Sequence, residues 1–279
     1  MDYFELKFSI EPQSPFQDLL ITELADIGFE SFEESGSSLL AYIPENLYQE
    51  KELISLNIFT NKLVKVSYTA KKIPTQNWNA LWESNYDSVC IDNRCYIRAP
   101  FHPSKSEFEF EILIEPQMSF GTAHHETTSN MISLLLKEDV SGKSFLDMGC
   151  GTSVLAILAH KKGATPVHAI DNDDWAYRNA TENVVKNNAN DITVELGDAS
   201  LLKGQHFDII YANINKNILL SDISTYADCL PEGGILCMSG FYADDLEDIK
   251  EAAIRQGLTY IEHLEKNNWV AVKFIKNKF

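Results

Sequence analysis

Ser144 to Asp174 reads SFLDMGCGTSVLAILAHKKGATPVHAIDNDD, and the reading of this stretch decides the fold. An apolar pair, Phe145-Leu146, runs into Asp147-Met148-Gly149-Cys150-Gly151, and an apolar helical run, Val154 to His160, follows. A second apolar run, Val167 to Ile170, ends in Asp171. The pattern is strand, glycine turn, helix, strand, acid: one βαβ unit with its ligand-binding end marked. Glycines, lacking Cβ, let the backbone turn sharply and approach a ligand. An acid at the tip of the second strand can accept both hydroxyls of a ribose.

A dinucleotide fingerprint would need GxGxxG, and its third glycine would fall on position 154, which is Val154. What stands here, DxGxG followed by Thr152 and Ser153, resembles motif I of the class I S-adenosylmethionine-dependent methyltransferases, with Asp171 at the place of their ribose-binding acid. The plainer reading is a βαβ unit whose glycines only make a tight turn.

Downstream the alternation continues. The sequence predicts a helix over 175–188, a strand over 192–196 ending at Gly197-Asp198, and a strand over 207–212 running into Asn213-Ile-Asn-Lys216. Further predictions are a helix over 218–230, the strand ILCMSGF, a helix over 243–256, and a closing hairpin from 260–264 and 269–275. Asp198 sits either at an adenine-edge position or in an ordinary turn. The fold class expected is α/β, a doubly wound and mainly parallel sheet with a terminal antiparallel strand. Ligands bind at the carboxyl ends of such strands, where Gly149, Asp171, Asp198 and Asn213 converge.

Upstream, Glu115 to Thr128 reads EPQMSFGTAHHETT and leads into SNMISLLLKE. Thr127 and Thr128 stand at a helix start, where hydroxyls cap free amides and a carboxylate can be held. His124 and His125 are adjacent and have no third ligand at metal spacing, so no metal site is expected.

Residues 1–73 read β-α-β-β-α-β, a small ferredoxin-like domain, with one helix expected over 45–56. It carries twelve acidic and six basic residues, and nothing in it looks catalytic; it reads as a binding or docking module. Residues 74–104 read as a linker in which Trp78 and Trp82, four apart, share one face of a short helix, and 105–279 as the catalytic domain.

The chain has 279 residues, is 44% hydrophobic and has a formal net charge of −18. That balance repels phosphate backbones, so direct nucleic-acid binding is not expected, and it favours a basic partner. No run approaches the ~20 apolar residues of a membrane span, and the N-terminus has no signal-peptide pattern. Five scattered cysteines fit reduced thiols and a cytoplasmic location.

Taken together these motifs resemble one family, the bacterial methyltransferases that modify ribosomal large-subunit protein eleven. EPQMSFGTAHHETT is similar to the family's DPGxAFGTGTHPTT, FLDMGCGTSVLAILAHKKGA to DxGCGSGxLAIAAxKLGA, and YANINKNIL to VANILAxxL. PEGGILCMSGF and NNWVAV resemble PGGxLxxSGI and EEWVxL, in the same order and spacing. The resemblance implies S-adenosyl-L-methionine as cofactor. It places Thr128, Gly149, Asp171 and Asn213 as its binding set, with Asn213 also a candidate to orient the substrate amine. It further implies transfer of methyl groups to lysine side-chain amines and the N-terminal α-amine of protein eleven, with residues 1–73 recognising that substrate. Ala123 and His124 depart from GTGTH, Ser153 stands where motif I keeps a glycine, and Asn215 and Lys216 put new polar groups near the expected amine site. The alternatives are a class I methyltransferase for another protein or a small molecule, or a cofactor-binding protein that no longer catalyses. A glutamine-modifying enzyme would show Asn-Pro-Pro-Tyr where Asn213-Ile-Asn-Lys stands.

Overall fold

The computed structural model describes residues 2–36, 38–74, 86–117 and 119–278. The chain divides between Asn85 and Tyr86 into two compact units. The expected Trp78 and Trp82 pair lies outside the described residues.

In the first unit β1 (Tyr3–Glu11) buries Leu6, Phe8 and Ile10 and exposes Lys7 and Ser9, the period of two that its sequence shows. Helix α1 (Phe16–Asp26) sets Leu20 and Leu24 one turn apart into the same core. Then follow β2 (Ser31–Ser35), β3 (Ser38–Pro44), α2 (Glu50–Ile54), α3 (Asn57–Thr60) and β4 (Lys65–Ile73). The sheet order is β2-β3-β1-β4, with every pair antiparallel. This is the expected β-α-β-β-α-β arrangement, except that the second helix is two short ones. The Ser55 hydroxyl donates to the Glu52 carbonyl, and Leu56 is extended, which ends one helix before the next begins.

The second unit opens with a small sheet of β5 (Val89–Ile91), β6 (Cys95–Arg98) and β7 (Phe110–Leu113). A tight turn joins β5 to β6, with Asp92 and Asn93 both at positive φ, and β7 runs parallel to β6. Residues 86–104, read from sequence as part of a linker, therefore sit with the second unit, because β5 pairs with β6 and β6 with β7 in one sheet.

Helix α4 (Glu126–Lys137) precedes the main alternation: β8 (Phe145–Met148), α5 (Val154–Lys161), β9 (Val167–Asp171), α6 (Asp174–Lys186) and β10 (Ile192–Leu196). Next come β11 (Ile209–Asn213), α7 (Lys216–Cys229), β12 (Ile235–Tyr242), α8 (Leu246–Arg255), β13 (Leu258–Lys266) and β14 (Trp269–Lys276). The seven strands lie in the order β10-β9-β8-β11-β12-β14-β13, with β14 antiparallel to both neighbours and the first five parallel. Side chains alternate across the sheet. Phe145, Ala169, Ile209 and Tyr211 pack with α4, α5 and α6; Leu146, Ile170, Ile210 and Ala212 pack with α7 and α8. Both faces are covered, as the near-continuous apolar strands require. The strand order reverses between β8 and β11, which is where a doubly wound sheet opens a crevice at its carboxyl edge.

Candidate functional site

The turn from β8 into α5 is built on positive φ. Gly149 (φ +68°) and Gly151 (φ +51°) have no room for a side chain: a Cβ at Gly149 would lie 2.1 Å from Ile214 Cγ2, and one at Gly151 2.2 Å from the Phe120 carbonyl oxygen. Two of the positions that depart from the family pattern keep the same backbone. Ala123 has φ +68° and Ser153 φ +61°, a left-handed conformation held without glycine. Asp147 is fully buried beneath the turn, where its Oδ2 accepts the Ala156 N–H at 3.0 Å. Burial pushes its carboxyl up to about 8, with the Ala156 hydrogen bond opposing and the Asp171 charge adding to the rise.

At the carboxyl ends of β8, β9, β10 and β11 lies a cavity of about 710 Å³, lined by Gly149, Gly151, Asp171, Asp198 and Asn213 and walled by Phe120, Trp175 and Ile218. Asp171 Oδ2 accepts the Gly151 N–H at 2.8 Å and Oδ1 accepts the Asp173 N–H at 3.0 Å. Each oxygen keeps a further lone pair for a vicinal diol. Asp198 Oδ1 accepts the Ser200 N–H at 2.9 Å, and the hydrogen bonds from Ser200 hold its carboxyl below the ordinary value. It is thus a turn residue and a cavity residue at once.

Three of the four residues expected from sequence, Gly149, Asp171 and Asn213, line this cavity. Thr128 does not: it is buried in the first turn of α4, where its Oγ1 accepts from Asn213 Nδ2 at 3.3 Å. Asn213 Oδ1 is buried with no partner among the described residues. Behind it, Gly240 allows close passage of the chain, since a Cβ there would fall 2.2 Å from the Ile214 carbonyl oxygen.

Asn213, Ile214 and Phe120 also line a second hollow of about 260 Å³, with His125, Thr127, Asn215, Gly240 and Trp269. His125 caps α4: its Nδ1 accepts the Thr127 N–H at 3.3 Å and lies 2.9 Å from the Thr127 hydroxyl. A nitrogen that accepts from N–H carries no proton, so in the neutral ring Nε2 does. The His125 ring centroid is 5.1 Å from that of Phe120 and 4.7 Å from that of Trp269. Phe120, His125 and Trp269 were not singled out as site residues from sequence. All three lie inside motifs that carry the family resemblance, but the hollow joins positions some 150 residues apart, which no local pattern reveals.

The expectation that Lys216 stands near the amine site is corrected. Its Nζ donates to Asp245 Oδ1 at 2.7 Å and Asp248 Oδ2 at 2.6 Å, and it lines neither hollow. Two carboxylates draw it away. Asn215 does line the second hollow, while its Oδ1 accepts the Ile218 N–H at 3.2 Å as the cap of α7. His124 Nδ1 lies 3.0 Å from the Thr122 hydroxyl and Nε2 2.9 Å from the Asp87 carbonyl oxygen, so it serves the loop. Among the described residues no cluster of three His, Cys, Asp or Glu side chains is arranged to hold a metal, and no helix is long and apolar enough to cross a membrane.

The family model described as "Ribosomal protein L11 methyltransferase (PrmA)" matches residues 11–277. A relative from Phocaeicola vulgatus, named ribosomal protein L11 methyltransferase, is 49% identical over 279 residues, covering 99% of each chain. One of the same name from Bacteroides fragilis is 47% identical, covering 99% of this chain and 100% of its own. Among solved structures, a ribosomal protein L11 methylase from Lactobacillus delbrueckii subsp. bulgaricus is similar with a TM-score of 0.63 and 26% identity, over 69% of this chain and all of its own.

Proposed function

The chain belongs to the ribosomal protein L11 methyltransferase family, and on that premise we propose that it binds S-adenosylmethionine in the larger cavity and methylates lysine side-chain amines and the N-terminal α-amine of L11 through the smaller one. The single observation that carries this reading is the position of Asn213, in the wall shared by both hollows, with a buried Oδ1 that has no partner among the described residues.

The residues of the larger cavity fit the cofactor. Asp171 has lone pairs for the ribose hydroxyls, the glycine turn admits close backbone approach, and Trp175 and Ile218 offer apolar surface for the adenine. Bound there, the cofactor supplies a sulfonium methyl whose positive charge is neutralised at sulfur as the methyl leaves in line with an attacking amine.

The chain's own residues then have little acid or base work and much alignment to do. Asn213 Oδ1 accepts an N–H of the substrate amine, and Thr128 fixes the amide by taking the hydrogen bond from Nδ2. A lysine amine must first lose a proton, its reference pKa being about 10.4. His125 is not set up to take it, since Nδ1 is already engaged by Thr127, so the proton leaves to water. Phe120 and Trp269 flank the hollow with apolar rings that tolerate a methylated ammonium.

The first unit, net −6 from twelve acidic and six basic residues over 1–73, suits docking of a lysine-rich protein. Five free cysteines suit the reducing cytoplasm. The test is titration of the purified protein with S-adenosylhomocysteine, followed by peptide mapping of L11 after reaction. Saturable binding and methyl groups on lysines and the N-terminus support the reading. Methylation confined to other residue types would overturn the amine assignment.

A further inference from the structure

Helix α6 presents asparagine every fourth residue, Asn179, Asn183 and Asn187 (the last just past its end), toward the chain that follows β7. Asn187 takes the Leu113 N–H on Oδ1 at 2.9 Å and donates Nδ2 to the Leu113 carbonyl at 2.7 Å. Asn183 Oδ1 takes the Glu115 N–H at 2.8 Å, and Asn179 Nδ2 donates to the Glu115 carbonyl at 3.3 Å. The geometry is a match of two repeats. Four residues of helix rise about 6 Å, and two residues of extended chain advance about 6.6 Å, so side-chain amides at every fourth helix position can pair with alternate backbone groups of a strand. The asparagines act as a missing neighbouring strand.

The strap so held continues through Gln117, Ser119 and Phe120, which form one wall of the larger cavity. Its far end is clasped to the glycine turn: the Thr152 N–H donates to the Phe120 carbonyl at 2.9 Å and the Thr152 hydroxyl to the Gly121 carbonyl at 2.7 Å. Asn183 alone in the asparagine series touches both ends. Besides holding Glu115, its Nδ2 donates to the Thr152 carbonyl at 3.1 Å, and its side chain is wholly buried.

We propose that Asn183 is a positioning residue for the cofactor, tying the strap at Glu115 to the glycine turn so that the cavity wall at Gln117, Ser119 and Phe120 is formed before the ligand arrives. This rests on the larger cavity being the cofactor site. A wall formed in advance spares the ligand the cost of ordering it, whereas a loosened wall reduces apparent affinity by the fraction of molecules in which it is formed. Once ligand saturates the site the wall is restored, so turnover at saturation is preserved.

The experiment compares Asn183→Ala with Asn187→Ala, which loses two hydrogen bonds to the same strap but none to the turn. Calorimetric titration with S-adenosylhomocysteine is read beside thermal unfolding, steady-state kinetics and amide exchange. Asn183→Ala is expected to raise Kd and the cofactor KM about tenfold or more with kcat within about twofold. Exchange at the Thr152 amide should quicken in the free protein and slow again on saturation. Asn187→Ala is expected to lower the unfolding temperature while Kd stays within about twofold. Equal changes in Kd for both variants, or none for Asn183→Ala, overturn the proposal. Should Asn183→Ala not fold, Thr152→Val loosens the same clasp from the other side and must give the same split. Failure of the unaltered protein to bind S-adenosylhomocysteine is a separate result, which removes the cofactor reading and this proposal with it.

Discussion

Asn213 and Thr128, 85 residues apart in sequence, meet at 3.3 Å through Nδ2 and Oγ1, while Asn213 Oδ1, buried between the two hollows, has no partner among the described residues. An amide that is held by one end is oriented at the other. Thr128, which the family resemblance makes a cofactor contact, is also the residue whose hydroxyl oxygen accepts from the Asn213 amide.

Removing the Asn213 amide should therefore damage transfer more than binding. Asn213→Ala is expected to lower kcat on L11 about a hundredfold, the scale of an ångström-size misplacement. Thr128→Val, which keeps the shape and loses the acceptor, should lower kcat about tenfold with the cofactor Kd little changed. Steady-state kinetics with calorimetric titration checks both, and a fall in cofactor affinity with kcat intact at saturation would contradict the role given to Asn213.

Ala123 and Ser153 hold φ at +68° and +61° without glycine. Left-handed backbone strains an L-residue by about 1–2 kcal/mol, and glycine gives back part of that through its freer unfolded chain. Ala123→Gly and Ser153→Gly are each expected to stabilise the second unit by about 0.5–1 kcal/mol in denaturant unfolding. Gly149→Ala should do the reverse and abolish cofactor binding, because its methyl would sit on Ile214 Cγ2.

Asp147 gives a pH dependence of unusual sign. Its folded carboxyl is raised from 3.8 to about 8, burial being the main cause. Between those values the folded state holds a proton that the unfolded state has lost, so stability from this group is full below the unfolded value and falls as pH rises toward about 8. Asp147→Asn keeps an acceptor for the Ala156 N–H and removes the titration. Its stability relative to the unaltered protein should grow from pH 4 to pH 8 in denaturant unfolding, and a constant difference across that range would refute the assignment.

Lys216 bridges Asp245 and Asp248 and lines neither hollow. Lys216→Met is accordingly expected to leave kcat and the cofactor Kd within about twofold, because the side chain reaches neither hollow. A large loss of turnover in the same kinetic assay would put the side chain back at the amine.

The parts of this molecule that follow from local rules were legible in its sequence. The glycine turn at Gly149, the acid ending β9 at Asp171 and the position of Asn213 at the end of β11 all announce themselves by strand–turn–helix punctuation. The doubly wound, mainly parallel sheet with a closing antiparallel strand follows from the alternation and the closing hairpin. What was not legible depends on distant meetings. The small sheet of β5, β6 and β7 recruits residues 86–104 to the second unit through parallel pairing across a dozen residues. The helix expected over 45–56 breaks at Ser55 because a hydroxyl competes for a helical carbonyl. Trp269 reaches His125 from the last strand, and the asparagines of α6 pair with backbone more than sixty residues away.

The proposed methylation of L11 amines depends on the cavity that Asp171 lines. Intact-mass spectrometry of L11 incubated with the enzyme and S-adenosylmethionine tests it most directly. Mass increments of whole methyl groups that disappear with Asp171→Ala are the expected result. An unchanged L11 mass, from an enzyme that still binds S-adenosylhomocysteine, would contradict it.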